Sequence, residues 1–274
     1  MSDVRFPILR DHDASLSETL DVLRERRRIL KMLAGAGATA LFAKGAIACT
    51  LIPPETEGPY PGDGSNGPNV LDQDGVVRSD IRTSFGSAGA DLAPGTISTL
   101  ALDLVSTLSG CEQVAGLAIY VWHCDAQGRY SMYSNGVTGE NFLRGVQVTD
   151  ANGRATFTTV FPGCYAGRWP HIHFEIYESL AAALSGERPL RTSQLALPEA
   201  ACRTVYAQSS IYPQSLANLD RVSLQSDNVF GDDGAVNQLA TVTGDNANGW
   251  AIELEVGIDV EGSSVDLVFV DGFD

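Results

Sequence analysis

The sequence predicts a mainly β protein: a two-sheet antiparallel β-sandwich with long functional loops and short helices. Short runs of alternating, β-branched or aromatic residues recur along the chain, and turn signals separate them. The 28 glycines and 12 prolines among 274 residues fit such a turn-rich fold. Helical periodicity is limited to short pieces near residues 180–184 and 199–206. We expect the loops between residues 130 and 250 to carry the function, because a rigid sandwich presents its loops to ligands.

The predicted strands differ in their patterns. Residues 99–105 and 250–258 alternate between apolar and polar side chains, as a strand with one buried face does. Residues 116–123 are almost continuously apolar, which indicates a buried strand. A strong turn signal at residues 150–153 precedes the strand at 154–160. The full set of predicted strands is 99–105, 116–123, 154–160, 171–177, 192–197, 250–258 and 265–270.

The composition divides the chain into three segments. Residues 1–48 form a predicted export signal, residues 49–98 a Pro- and Gly-rich arm and loop, and residues 99–274 the β-sandwich domain that carries the site. The arm is predicted to be ordered but not to form a regular element. The C-terminal quarter, from about Asp220, contains no assignable motif.

The N-terminus has the order of features of a signal peptide. The basic stretch RRRILK at residues 26–31 precedes an apolar run at 32–43, which is too short to span a bilayer. Small residues at 46–48 offer a cleavage site. The basic stretch resembles the twin-arginine export signal, so we expect the Tat machinery as a partner and a periplasmic or extracellular location. Two alternatives stay open: a basic amphipathic helix on the folded body, and a lipoprotein anchored at Cys49.

An oxidising compartment permits disulfides among the four cysteines that follow Cys49 in the chain. We expect pairs between Cys111 and Cys124 and between Cys164 and Cys202, with buried free thiols as the alternative. Cys124 and Cys164 are also candidate soft metal ligands. The absence of a C-x-x-C spacing weakens that reading.

The charge excludes two classes of partner. The formal net charge is -16, and the first 48 residues are slightly basic, so the body is more acidic still. Such a surface repels nucleic acid and anionic membranes. We therefore expect neither as a partner.

A histidine pair on one predicted strand points to a metal. The run HIHFEIY at residues 171–177 alternates, so His171 and His173 lie on one face with their imidazoles side by side. Such a pair is a common way to hold a transition metal. The chain has only four histidines; His12 lies in the signal, and His123 is expected to be a hydrogen-bonded core residue. The remaining ligands are therefore sought among oxygen donors, and a phenolate suits a ferric ion.

Six motifs resemble those of the intradiol ring-cleavage dioxygenases, the family of catechol 1,2-dioxygenase and protocatechuate 3,4-dioxygenase. They follow one another in the order found in that family and span roughly residues 55–200. They are TEGPY at 56–60, VRSDIR at 77–82, VWHCDA with GRYS at 121–131, FPGCY at 161–165, RWPHIHF at 168–174 and TSQL at 192–195.

The resemblance implies an enzyme that holds a non-haem Fe(III). The implied metal ligands are Tyr130, Tyr165, His171 and His173. The enzyme would insert both atoms of O₂ into a small aromatic diol of the catechol or hydroxyquinol type and release a cis,cis-muconate-type product. The oligomeric state does not transfer, because this chain lacks the family's helical N-terminal segment; a homo-oligomer stays open.

The resemblance also implies roles for residues around the metal. Arg168 and Gln194 would be catalytic, the arginine stabilising developing negative charge. Pro59, Tyr60 and Arg168 would bind substrate. Without a basic cluster beyond Arg168, a carboxylated substrate such as protocatechuate is not favoured.

Two other functions remain as alternatives. One is a non-catalytic exported β-sandwich binding module, since sandwiches host many functions. The other is a copper or zinc site that uses His171 and His173. The set of two tyrosines, the arginine and the histidine pair argues against the first, and the shortage of histidines against the second.

Overall fold

The computed structural model describes residues 49–89 and 91–262. These residues lie in one unit of the chain, Ile47–Asp274. The predicted export signal at 1–48 and the predicted strand at 265–270 lie outside the described residues. Within the described part, no helix has both the length and the apolar character needed to cross a bilayer.

The described residues form a mainly β protein with short helices, which confirms the predicted fold class. The helices are α1 (Leu180–Ser185), α2 (Glu199–Tyr206) and α3 (Ser215–Leu219), with a 3₁₀ turn at Leu224–Ser226. The strands are β1 (Ile97–Ser106), β2 (Glu112–Gln113), β3 (Ala118–Trp122), β4 (Arg144–Val148), β5 (Arg154–Val160), β6 (His171–Tyr177), β7 (Arg191–Ala196), β8 (Thr241–Asp245) and β9 (Gly249–Ile258).

Three of these strands have no counterpart in the sequence prediction. β2 has only two residues, and β8 is an exposed strand that includes Gly244, so neither shows a periodic apolar pattern. β4 begins with a buried arginine, Arg144, where a buried strand normally carries an apolar residue. The pattern fails there because this charge is paired by hydrogen bonds that the sequence does not reveal.

The strands form two sheets. One has the order β2-β1-β9-β8, with β5 also paired to β1, and the other has the order β4-β3-β6-β7. All these pairs are antiparallel except β1 with β9, which run parallel from Ser98 opposite Trp250 to Ser106 opposite Ile258. The predicted antiparallel sandwich is therefore corrected at this one pair.

The second sheet buries both of its faces. Successive side chains of a strand point to opposite faces. In β6, Ile172, Phe174 and Ile176 enter the main core between the sheets. The alternate residues from His171 to Tyr177 face away from that core, yet all seven residues of the strand are buried. Another layer must therefore cover the outer face.

The predicted arm, of which residues 49–89 and 91–96 precede β1 in the described structure, is part of this cover. Its backbone bonds to both sheets: the Ile52 N–H donates to the Gly257 carbonyl at 2.8 Å, and the Glu55 N–H donates to the Thr192 carbonyl at 2.9 Å. Val70 and Val76 of the arm pack in one apolar cluster with Trp122 of β3 and with helix α1. The arm thus closes the face of the second sheet that carries the histidines.

The predicted disulfides are wrong. Cys49 bonds to Cys111, with a Cα–Cα distance of 5.5 Å, and Cys124, Cys164 and Cys202 are buried free thiols. Cys111 lies at the turn between β1 and β2 of the first sheet, whereas Cys124 follows β3 of the second sheet. The arm instead brings Cys49 to Cys111, since Leu51 forms a bridge with Gly257 on the strand beside β1.

The disulfide should stabilise the protein by holding the start of the arm. It closes a loop with a sequence separation of 62, and the chain-entropy estimate for such a loop is about 4 kcal/mol. We expect a reductant to lower the melting temperature of the wild type but not that of a Cys49→Ala/Cys111→Ala variant. Alkylation in denaturant without reductant should label Cys124, Cys164 and Cys202 only. Label on Cys49 or Cys111, or equal melting with and without reductant, would contradict this assignment.

Candidate metal centre

The two histidines of β6 lie where the strand alternation puts them. His173 pairs with Trp122 of β3 on one side and with Gln194 of β7 on the other. The Nε2 atoms of His171 and His173 are 3.1 Å apart, and both side chains are buried. The β6 register therefore presents two imidazole nitrogens to one point.

Tyr130 reaches the same point from a tight turn after β3. Asp125 accepts hydrogen bonds from the backbone N–H groups of Gln127 and Arg129 at 2.8 and 3.0 Å. Gly128 has a φ of 78°, a conformation that favours glycine. The turn directs the Tyr130 hydroxyl to 3.2 Å from His171 Nε2.

Tyr165 arrives from a second turn that packs on the first. At Gly163 a Cβ would lie 2.6 Å from the Ala126 carbonyl oxygen, so only glycine allows the two segments to approach this closely. The Tyr165 hydroxyl then lies 3.2 Å from His171 Nε2. The two turns together bring two phenol oxygens to the histidine pair.

The tautomer of His171 follows from its second nitrogen. Its Nδ1 lies 2.5 Å from the Trp169 carbonyl, which can only accept, so Nδ1 carries the proton and Nε2 keeps a lone pair. The His173 ring stacks on Trp122 with centroids 4.9 Å apart, which fixes its plane. His173 Nδ1 is buried without a hydrogen-bond partner among the described residues.

These four donor atoms fit a metal ion. Ligands about 2.1 Å from a metal and at right angles lie roughly 3 Å apart. The measured separations from His171 Nε2 are 3.1 Å to His173 Nε2 and 3.2 Å to each phenol oxygen. The donor set, two imidazoles and two phenols, combines nitrogen with hard oxygen ligands.

The electrostatics of the buried cluster favour the same conclusion. Burial raises the pKa of Tyr165 to about 12 and also raises the pKa of Tyr130 well above its ordinary value. Burial also lowers the pKa of His171 to about 3, with Arg168 adding to the effect, so the imidazole is neutral and its Nε2 lone pair is available to a metal. Two phenolates in this environment require a cation to offset their desolvation.

Arg168 and Gln194 lie beside the cluster in one hydrogen-bonded network. The Arg168 Nη2 donates to Gln194 Oε1 at 2.7 Å, and Gln194 Nε2 donates to the Thr56 carbonyl at 2.8 Å. The Arg168 Nε donates to Asp227 Oδ2 at 2.9 Å. Burial acts against the Asp227 charge, but the bonds from Arg168 and the backbone keep the pKa of Asp227 below its ordinary value.

Of the predicted substrate-binding residues on the arm, Tyr60 lies beside the first tyrosine, and Pro59, which precedes it, is exposed. The Tyr60 ring is 5.1 Å from that of Tyr130 and is about one-third exposed, at 36%. The buried Arg144 holds this part of the arm, because it donates to the Tyr60 and Pro61 carbonyls at 2.9 and 2.6 Å. The Tyr60 side chain of the arm therefore borders the cluster.

Two further residues near the cluster, His123 and Tyr133, have structural roles. His123 is the core histidine that the sequence predicts: its Nε2 lies 2.7 Å from Thr159 Oγ1 and its Nδ1 lies 2.8 Å from the Cys124 carbonyl. Tyr133 anchors the arm, since its hydroxyl accepts from the Gly62 N–H at 2.9 Å and donates to Asn66 Oδ1 at 2.7 Å. It does not join the cluster.

The thiols do not form a metal site. Among the described residues, the one cluster of three or more histidine, cysteine or carboxylate ligands is Glu57, Asp63 and Glu175, which has no cysteine. Burial raises the pKa of the Cys164 thiol to about 12, which disfavours a thiolate. The soft-ligand reading of Cys124 and Cys164 finds no support in this geometry.

Two residues of the site have no sequence signal. Asp227 lies in a polar stretch that reads as a turn, and Arg144 begins a strand that the pattern does not predict. Each makes contacts with residues more than 50 positions away in the chain. Only the folded structure shows that one binds Arg168 and the other binds the arm.

Comparison with known proteins is consistent with this arrangement. A family model described as Dioxygenase matches residues 88–189, which include all four predicted metal ligands. No curated protein sequence matches the chain. The intradiol ring-cleavage dioxygenase from Tetranychus urticae is 25% identical, with a TM-score of 0.61, and the alignment covers 79% of this chain and 98% of that one.

Two further solved structures are similar. A crystal structure of another dioxygenase is 25% identical, with a TM-score of 0.59 and coverage of 79% of this chain and 98% of that chain. The 3-chlorocatechol 1,2-dioxygenase from Rhodococcus opacus 1CP is 16% identical, with a TM-score of 0.47 and coverage of 75% and 72%. The resemblance predicted from the sequence motifs is confirmed, and so is the prediction of an enzyme of this kind.

The close approach at Gly163 yields a test of how the second tyrosine is placed. We expect Gly163→Ala to separate the two turns, to destabilise the protein by about 1–3 kcal/mol and to reduce metal content. The matched control is Gly139→Ala, because a Cβ there meets nothing within 4 Å. Melting temperature and metal analysis would be compared for both. Equal metal content in wild type and Gly163→Ala would show that this approach does not place Tyr165.

Proposed function

We propose that this chain, an intradiol ring-cleavage dioxygenase by its family match and its similar structures, uses a non-haem Fe(III) to act on a catechol-type diol. Both atoms of O₂ would enter the ring, and the product would be of the cis,cis-muconate type. The observation that carries the proposal is the convergence on His171 Nε2 of two phenol oxygens, each at 3.2 Å, and of a second imidazole nitrogen, His173 Nε2, at 3.1 Å.

The donor set favours ferric iron over the copper or zinc alternative. Tyr130 and Tyr165 supply hard anionic oxygens, which suit Fe(III), and no cysteine joins them among the described residues. A site that used His171 and His173 alone would leave the buried phenol of Tyr130 and the partly buried phenol of Tyr165 beside the metal without a role. When bound, the ferric ion supplies Lewis-acid activation of the diol.

The surrounding residues bind and orient the ring. Arg168 presents a fixed positive charge beside the ligand cluster, where it stabilises negative charge that develops on the ring. Gln194 holds the guanidinium from one side. Tyr60 and Pro59 flank the ring and limit the access of water from the arm side. This set of residues argues against a binding module without catalysis.

We also propose that the protein is exported by the Tat machinery to the periplasm or the outside of the cell. The Cys49–Cys111 disulfide supports an oxidising compartment. A lipid anchor at Cys49 would require the sulfur that this disulfide uses, so we favour a protein without an anchor. Homo-oligomerisation stays a prediction.

The visible spectrum of the purified protein tests the metal assignment. We expect a tyrosinate-to-iron charge-transfer band that shifts on anaerobic addition of catechol. Tyr165→Phe and His173→Ala should each lower iron content or band intensity by about ten-fold or more, since each removes a ligand. Tyr133→Phe is the control and should retain the band, because the Tyr133 hydroxyl that it removes bonds to Gly62 and Asn66 of the arm. A protein that stays colourless after reconstitution with iron would refute the proposal.

The charges around the site predict a preference for uncharged rings. Asp227 offsets the positive charge of Arg168. The Glu55 carboxylate lies close by, since Gln238 Nε2 donates both to Glu55 Oε1 at 3.2 Å and to the Gln194 carbonyl at 3.0 Å. A carboxylated ring therefore meets the like charge of Glu55, and Arg168, the cation assigned to the site, is already paired with Asp227.

We expect kcat/KM for catechol to exceed that for protocatechuate by about ten-fold or more, because each 1.4 kcal/mol of unfavourable charge contact costs a factor of ten. Steady-state oxygen uptake with both substrates would measure the ratio. Glu55→Gln should lower the ratio of kcat/KM for catechol to that for protocatechuate. Glu255→Gln, on strand β9 of the other sheet, should leave this ratio unchanged. Equal values for the two substrates in the wild type would contradict this reading of the charges.

A further inference from the structure

We propose that Asp227 is a positioning residue that fixes the guanidinium of Arg168 so that its Nη1 faces the site. The inference rests on the proposed function, because it concerns the charge that Arg168 presents to the diol. It gives a role to the C-terminal quarter of the chain, in which the sequence shows no motif.

Asp227 uses both of its carboxylate oxygens. Its side chain has no solvent exposure, at 0%. Oδ2 accepts from Arg168 Nε at 2.9 Å and from the Trp169 N–H at 2.6 Å. Oδ1 accepts from the N–H groups of Val229 and Phe230 at 2.9 and 3.1 Å. The carboxylate is therefore held rigidly by its own turn and can in turn hold another group.

The guanidinium of Arg168 is held on two sides and open on the third. Nε donates to Asp227, and Nη2 donates to Gln194 Oε1 at 2.7 Å. Nη1 has no hydrogen-bond partner among the described residues, and it is not one of their buried unpaired atoms. Because the guanidinium is planar, two fixed nitrogens determine the direction of the third. Nη1 is the group left to face a ligand.

Gln194 alone cannot fix this orientation. Its amide is set by the Thr56 carbonyl, which accepts from Nε2 at 2.8 Å, so Oε1 faces Arg168. A single bond to Nη2 still lets the guanidinium plane rotate about that contact. The second bond, from Nε to the buried carboxylate, removes this freedom.

The turn that contains Asp227 also packs against His171, one of the predicted metal ligands. The Phe230 ring, whose backbone Asp227 binds, lies 6.5 Å from the His171 ring and 6.0 Å from the guanidinium carbon of Arg168. Asp227 also binds the Trp169 N–H, and the Trp169 carbonyl accepts from His171 Nδ1. A test must therefore separate an effect on Arg168 from an effect on the histidine.

Asp227→Asn removes the carboxylate that binds Arg168 and leaves the side-chain volume nearly unchanged. The amide oxygen can keep the Oδ1 bonds of the turn. The amide NH₂ would then face the N–H groups of Arg168 Nε and Trp169, which can only donate, so the bond to Arg168 is lost. We expect kcat for catechol to fall about 10–100-fold, somewhat less than the loss of a direct charge-stabilising donor. kcat/KM should fall equally, because the interaction acts in the transition state. The charge-transfer band should be retained.

A double-mutant cycle with Arg168→Met shows the route of the effect. If Asp227 acts through Arg168, Asp227→Asn should change kcat by no more than about two-fold in the Arg168→Met background. Asp103→Asn is the control: it removes a paired carboxylate, bound by Arg154 at 2.7 Å on the other sheet, and should leave kcat unchanged.

Three results would overturn the inference. These are additive effects in the cycle, loss of the iron band in Asp227→Asn, and wild-type kcat in that variant. If Asp227→Asn does not fold, Arg168→Lys tests the inference instead. Lysine keeps the positive charge but cannot bind Asp227 and Gln194 at the same time. A wild-type kcat in Arg168→Lys would then refute the positioning role. Failure of the proposed function is distinct, since the wild type itself would then turn over no catechol.

Discussion

The site depends on one strand that buries both of its faces. In β6, alternation sends Ile172, Phe174 and Ile176 into the core and leaves His171 and His173 on the other side of the sheet. The sandwich core fixes the strand register, because a shift by one residue would place imidazoles in the core and aliphatic side chains at the site. The geometry of the histidine pair is thus maintained by the same packing that stabilises the fold.

A buried outer face has an electrostatic consequence. Covering it with the arm removes water from two phenols and two imidazoles, which raises the pKa values of the tyrosines and lowers those of the histidines. In the absence of a cation this arrangement favours neutral groups. A multivalent cation would reverse the preference for the phenols, so a cluster buried in this way would favour a highly charged metal over a weakly charged one.

The sequence predicts the parts of this site that are local. The strand from His171 to Tyr177 and the helix from Glu199 to Tyr206 match the structure residue for residue, since their patterns are complete within a few positions. The predicted disulfide pairs are wrong, and strand β4 has no counterpart among the predicted strands. Cys49 meets Cys111 only because the arm folds along β9, and Arg144 is tolerated in a buried strand only because it binds distant carbonyls.

Contacts from two segments far apart in the chain meet at the same two strands, β6 and β7. The arm before the sandwich and the segment after it converge on β6 and β7: Thr56 binds Gln194 from one side and Asp227 binds Arg168 from the other. Neither segment supplies a predicted metal ligand. The motifs between them carry the predicted metal ligands, whereas the flanking segments hold Arg168 and the arm beside that cluster. Variation in those segments is therefore expected to change substrate preference and rate while the ligand set stays constant.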